Sequence, residues 1–363
     1  MTFILKYYKL VSKFDPELKS MKGTVNTSMI ILAREARGIA QHELAERIKM
    51  SATNLSKIER GDIGISEEML ASIADETSFP VHFFMQQGTI IPENLTYRRR
   101  HSVAQKLITP INAQANIIRS HIQFLTRTLN VNVPDIPSML VTETSNPARI
   151  ARRLRQKWNI DAPVIGNLTR TMEQQGIAVV SFPFGTERVD SRTMLTDDKY
   201  PVIFLNSQLL GDRQRFSLAY ELGQLVMHTF SPVPLERDIS KEANAFAAEF
   251  LMPAKEISKD LSGTITVPLL AELKKKWKVS MIALLYRADD LGFITPNQKR
   301  YLLQQFNSLN IRRREPVELD LPLEQPRLVK RWIAEYRSRT KLGTLDMAAV
   351  LCLQVDEFME IYS

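Results

Sequence analysis

Cysteine is nearly absent from this chain: Cys352 is the single one among 363 residues. One thiol cannot build an internal disulfide framework, and it fits a reducing compartment in which an unpaired cysteine is a small core residue. Also absent is any apolar run of about 18 residues, the length a membrane-spanning helix needs. The opening MTFILKYYKLVSKF has neither the apolar core of a signal peptide nor a small-residue cleavage site, so a cytoplasmic location with no membrane partner is expected. Histidine is scarce too, with five in the chain, and two are missing where a metal site would need them.

What is present is ordinary for a globular protein. Hydrophobic residues make up 44% and charged residues 24%, and the length suits two or three domains. The net charge of +8 points to an acidic partner. Its distribution is uneven: from Arg34 to Glu76, six Lys or Arg stand against nine Asp or Glu. Positive charge accumulates instead at Arg98 to Arg100, Arg149 to Lys157, Lys274 to Lys278, Arg312 to Arg314 and Lys330 to Lys341. Each run alone reads as a solvated helix face.

From Met29 to Gly61 the chain reads MIILAREARGIAQHELAERIKMSATNLSKIERG, with Ile31, Leu32, Leu44, Ala45, Ile48, Leu55 and Ile58 at helical spacing. Gly38 ends a first helix. A short helix from Gln41 to Ile48, a turn through Lys49 to Ser51 and a third helix to Arg60 give the geometry that seats a recognition helix in the major groove. Ser51 is a candidate cap. Leu44, Ala45, Ile48, Leu55 and Ile58 form the expected shared core. Ser66 and Pro80 open two further helices in SEEMLASIADETSFPVHFF. The pattern resembles the XRE or phage-repressor class. That resemblance implies a phosphate contact from Gln41 and base readers among Ser51, Ala52, Thr53, Asn54 and Lys57, with double-stranded DNA as partner and a homodimer on two half-sites. Asn54 suits adenine, Ala52 or Thr53 a thymine methyl, and Lys57 a guanine or phosphate. Lys49 stands where that class often has glycine, and lysine takes the required backbone at modest cost.

Residues 215–228 read RFSLAYELGQLVMH. This is the frame of an HExxH zinc helix, in which histidines four apart share one face and the intervening glutamate is general base on the zinc-bound water. Here Tyr220 and Gln224 stand in the two histidine positions while the base position, Glu221, is kept. A neutral phenol and a neutral amide are weak ligands for zinc. Zinc is therefore expected to be absent, with no catalytic residue and Glu221 a vestigial base.

The flanks DRQRF before this helix and EANAFAAEFLMP after it closely resemble the ImmA/IrrE family of metallopeptidases, specifically its long bacterial members with an N-terminal helix-turn-helix. Pro201 to Asn206, Tyr97 to Arg100 and Arg312 to Pro316 extend the likeness. In that family the helix reads HELGH, and the glutamate at the position of Glu242 supplies the third ligand. His228 has two open readings, a cap or core residue or part of a rescued site with Glu221 and Glu242, which share access to its face. Glu249 lies seven residues beyond Glu242 on the same face, and Arg213 or Arg215 are candidate partners for either.

The expected fold is mainly α with a small α+β domain. Its parts are an N-terminal extension (1–26), an all-α helix-turn-helix domain (27–88), a basic helical connector and linker (89–147), a degenerate zincin-like peptidase domain with a short sheet (148–260) and a helical C-terminal region (261–363). Gly88, Pro92 and Asn94 mark a linker. Tyr97 to Asn130 has no acidic residue and reads as a helix whose Ile111, Ile118, Ile122 and Leu125 support a dimer or whose cations lie along DNA. Pro147 ends a second linker. A basic helix follows to Trp158, with strands at Ile177 to Val180 and Val202 to Leu205. Leu269, Leu270, Leu273 and Trp277 form one later helix face, and Met281, Leu284 and Leu285 the next. Three functions follow: a DNA-binding transcriptional regulator whose peptidase-like domain senses a peptide or small-molecule effector or binds a partner; an active metallopeptidase cleaving a repressor or antitoxin; and an antitoxin-like autoregulator. Converting Tyr220 and Gln224 to histidine is expected to create zinc affinity on a preserved scaffold.

Overall fold

The computed structural model describes residues 25–87, 90–91, 98–99, 103–230, 234 and 236–362. Most of the N-terminal extension, the linker markers Gly88, Pro92 and Asn94, and Tyr97 and Arg100 lie outside the described residues. The architecture is mainly α with one small sheet.

Four helices build the N-terminal domain: α1 (Thr27–Ala36), α2 (Gln41–Arg47), α3 (Ala52–Glu59) and α4 (Glu67–Thr77), followed by a 3-10 turn at Val81–Met85. Gly38 has φ of +68°, the left-handed backbone that an L side chain resists, and it separates α1 from α2. Lys49 takes φ of +55° at the next turn, as the sequence pattern requires. Ser51 and Ser66 accept from Asn54 N and Met69 N, capping α3 and α4. Leu44, Ala45, Ile48, Leu55 and Ile58 are all buried between them.

The basic segment expected to be one helix is divided. Arg98–Arg99 is a two-residue strand, β1, and the helix α5 runs from Gln105 to Leu129. Ile111, Ile118, Ile122 and Leu125 on α5 are buried inside this chain, in one core with α1 and the C-terminal helices. They are thus no free dimer face. Two of the cations proposed for DNA are likewise committed: Arg119 pairs with Asp197 at 2.9 Å and Arg127 with Asp198.

After α6 (Pro147–Lys157) and α7 (Leu168–Gln174) come β2 (Ala178–Phe182), β3 (Val189–Leu195) and β4 (Pro201–Asn206), in the spatial order β1-β3-β4-β2. β2 pairs parallel to β4, while β3 pairs antiparallel to β4 on one side and to β1 on the other. The strand β3 was not anticipated because Asp190, Ser191 and Arg192 are polar. They are buried all the same, each with a partner: Asp190 with Arg213, Ser191 with Glu221 and Arg192 with Asn112.

The sheet separates two cores. Val179, Ile203 and Leu205 face α8 (Gly211–Met227), α9 (Ile239–Leu251) and the helices α10 (Ala254–Leu261), α11 (Val267–Trp277), α12 (Met281–Asp290) and α13 (Pro296–Ser308). Ala178, Val180, Phe182, Val202 and Phe204 face the other way, into the core shared by α1–α5 with α14 (Leu328–Thr340), α15 (Thr344–Val350) and α16 (Val355–Tyr362). Successive strand residues point to opposite faces, so a five-residue strand serves both cores. The last helices therefore join the N-terminal domain and not the helices that precede them. His82 Nε2 donates to Ala349 O at 3.1 Å, Gln354 Nε2 donates to Ser78 O at 3.1 Å, and Arg37 pairs with Glu357. His121 and Tyr362 meet at 2.9 Å in the same core.

Candidate functional site

The two sequence signals fall on opposite kinds of surface. At the start of α3, Ser51, Ala52, Thr53, Asn54 and Lys57 are all exposed. The helix is held from behind by an ion pair: Arg34 Nε donates to Glu59 Oε1 at 2.7 Å and Nη2 to Oε2 at 3.2 Å, with Glu59 buried. Gln41 Nε2 donates to Glu59 Oε2 at 2.6 Å through one of its two N–H groups. A phosphate contact through that amide uses its second N–H. The bond to Glu59 ties the first turn of α2 to the last turn of α3 and fixes their crossing.

The zinc-helix frame lies on α8, packed between the sheet and α9. Gly223 explains part of why the frame persists. A Cβ at this position would stand 2.8 Å from the ring of Phe246 on α9, so the close crossing of the two helices needs glycine. Tyr220 and Gln224 are buried and share a face, as their spacing implies. Tyr220 Oη donates to Ser240 Oγ at 3.2 Å and accepts from Gln224 Nε2 at 3.1 Å. Gln224 Oε1 stands 2.7 Å from His228 Nδ1, and His228 Nε2 stands 2.7 Å from Glu242 Oε2. Arg237 Nε donates to Glu242 Oε1 at 2.8 Å, and its Nη2 donates to Oε2. One chain of hydrogen bonds thus runs from Ser240 through Tyr220 and Gln224 to His228, Glu242 and Arg237.

The electrostatics follow from this chain. Burial holds the His228 imidazole below its ordinary pKa, though Glu242 acts in the opposite sense. Burial would raise the Glu242 carboxyl, but hydrogen bonds from Arg237 and His228 outweigh it and hold the pKa below the usual range. A neutral His228 that donates from Nε2 to Glu242 needs a donor at Nδ1, and half a turn of the Gln224 amide supplies one. Tyr220 then donates to Gln224 and accepts from Ser240, so the network is satisfied with either imidazole charge.

Glu221 points elsewhere. It is buried, with Oε1 accepting from Ser191 Oγ and Oε2 from Thr193 Oγ1, both at 2.7 Å. It therefore does not meet His228 in a common pocket, and the trio Glu221, His228 and Glu242 is not assembled. Among the described residues no three His, Cys, Asp or Glu side chains converge as a metal site. Glu249 also departs from expectation. It pairs with Arg152 at 3.0 Å and with Arg287, while Arg213 pairs with Asp190 and Arg215 with Glu324. The donor set at Tyr220, Gln224 and Glu242 does not fit zinc: two members are neutral and mutually bonded, and the carboxylate already carries a cation.

Sequence reasoning missed Ser191, Thr193, Ser240 and Arg237. The alternation of Ser191 and Thr193 was a usable strand signal, whereas Arg237 precedes α9 with no recognisable spacing. β1 adds a further feature: Arg98 registers with Ser191 and Arg99 with Val189, so the edge of β3 beside Glu221 is paired with the chain's own backbone.

Residues 172–289 match the family model described as IrrE N-terminal-like domain, Peptidase_M78. Residues 30–81 match the family model described as Helix-turn-helix. The chain thus carries an XRE-type helix-turn-helix ahead of a peptidase-like domain, the arrangement of an ImmA/IrrE-type regulator. No curated protein matches the chain. Among the described residues, no helix is long and apolar enough to cross a membrane.

Proposed function

We propose that the protein is a DNA-binding transcriptional regulator whose peptidase-like domain works without zinc and without catalysis, as a module that senses an effector or binds a partner. The observation that carries this reading is the hydrogen-bonded chain at Tyr220, Gln224, His228 and Glu242, in which neutral side chains and Arg237 stand where a peptidase needs a metal set. The paired edge of β3 supports it as well. An extended peptide is commonly held by adding a strand to a free sheet edge, and here β1 takes that place.

The reader presents Asn54 and Lys57 to solvent and works as a homodimer on two half-sites. A peptide or small-molecule effector bound by the peptidase-like domain changes the spacing of the two readers. The route for that change is the C-terminal clamp, because α14 and α16 pack on β2 while α15 and α16 hold the helix-turn-helix domain.

Elemental mass spectrometry of the purified full chain, dialysed without chelator, tests the zinc half of the proposal. Zinc well below one per chain is expected, and one zinc per chain overturns it. Selection of bound sequences from a random DNA pool tests the other half, with enrichment of a palindromic site expected and no enrichment overturning it.

A further inference from the structure

The peptidase-like domain resembles one that holds a metal ion, yet its third-ligand position, Glu242, already carries a positive partner. Arg237 faces both carboxylate oxygens, through Nε at 2.8 Å and through Nη2. His228 occupies Oε2 from the other side at 2.7 Å. The pair couples the segment before α9 to the first turn of α9, and through His228 it reaches the end of α8. These are the elements that a metal bound to one helix and to Glu242 would cross-link.

We infer that Arg237 is a built-in cation that replaces the metal: its guanidinium neutralises Glu242, bridges α8 to α9 through His228, and excludes a divalent ion from the position. This rests on the non-catalytic reading above and goes beyond it, because it adds at Glu242 a second barrier to the metal, independent of the two missing histidines. A fixed positive charge within a few ångströms repels an incoming Zn²⁺, and binding through Glu242 requires breaking a two-point, charge-assisted contact. The arginine keeps its charge at any pH the protein meets, so the cross-link is permanent where a metal would be exchangeable. On this inference two histidines restore zinc affinity only weakly while Arg237 stays in place.

The test compares four full-length proteins: wild type, Arg237→Gln, Tyr220→His with Gln224→His, and those two changes combined with Arg237→Gln. Each is stripped with chelator, titrated with zinc alone, and measured by metal content and by the zinc-dependent shift in Tm. The double-histidine protein is expected to bind zinc at least about 100-fold more weakly than the triple variant, from the charge repulsion removed. The triple variant is expected to hold close to one zinc per chain and to gain Tm on loading. Arg237→Gln alone is expected to lower Tm without creating zinc binding. Equal zinc affinity in the double and triple variants overturns the role of Arg237 and leaves the regulatory reading standing. Stoichiometric zinc in wild type overturns that reading itself. Should the triple variant fold poorly, Glu242→Gln in the wild-type background provides the second measure. It should lower Tm as Arg237→Gln does, and combining the two should add little, because each change breaks the same contact. Full additivity overturns the inference.

Discussion

The start of α3 and the middle of α8 both concentrate polar side chains, and they treat them in opposite ways. In the reader, Ser51, Thr53, Asn54 and Lys57 stand in solvent on a helix that an interior ion pair holds in place. In the peptidase-like domain, Tyr220, Gln224, His228, Glu242 and Arg237 satisfy one another. A site built for an outside ligand leaves its hydrogen-bonding groups available and spends its interior contacts on rigidity. A polar cluster that serves as structure closes its groups on themselves, because a buried polar group without a partner costs about 1–3 kcal/mol. The contrast sets a solvent-facing polar surface beside a self-satisfied polar interior within one chain.

Four changes break or sharpen this contrast. The largest effect is expected from Glu59→Ala, which leaves Arg34 partly buried without its carboxylate and removes the acceptor of Gln41. Loss of one partner from such a pair costs about 3–5 kcal/mol. Urea denaturation should show the reader destabilised by that order, with DNA binding lost at temperatures where wild type binds; unchanged stability would remove the ion pair from its supporting role.

Acid is expected to act next, at the join between reader and C-terminal helices. Burial lowers the His82 pKa to about 4 and the His121 pKa to about 3, with backbone hydrogen bonds opposing only part of the shift. Unfolded, both imidazoles titrate near 6.5. Between these values the unfolded chain binds more protons, so stability is full above about pH 6.5 and is lost as pH falls towards the folded values. For His82 alone the shift corresponds to about 3 kcal/mol. Denaturation midpoints of wild type and His82→Gln at pH 7 and pH 5 should converge as pH falls; parallel curves would contradict the sign.

Asn54→Ala tests the exposed side of the contrast. Operator affinity should fall by about 1–3 kcal/mol, roughly 5- to 150-fold, with Tm unchanged because the side chain is exposed. A matching loss of Tm would make Asn54 a structural residue. The smallest effect is expected from Tyr220→Phe, which deletes one hydroxyl from the closed network and costs about 0.5–1.5 kcal/mol. DNA affinity below the unfolding temperature should stay unchanged, whereas a large loss would tie this network directly to the reader.

Much of this was legible in the chain. Apolar spacing from Leu32 to Ile58 located the reader's helices, because a helix buries one stripe and the period shows it, although Ile30 and not Ile31 is the buried residue at the start of α1. The glycine at position 223 and the flanking motifs located the zinc-helix frame even though its ligands had changed. The basic segment misled because a helix and a strand share it, and because its cations find acids near position 197, far along the sequence.

By itself, then, the sequence determined the reader's helices, where the reader lies and that the neutral side chains of Tyr220 and Gln224 stand at the two histidine positions of the zinc-helix frame. These follow from local periodicity and from the chemistry of single side chains. Tertiary structure decided the rest: that β3 is buried despite its polar residues, that the last helices clamp the first domain, that Glu221 turns to β3, and that Arg237 reaches Glu242. Each depends on which groups meet across long stretches of chain, and a buried charge or hydroxyl shows its role only once its partner is in place.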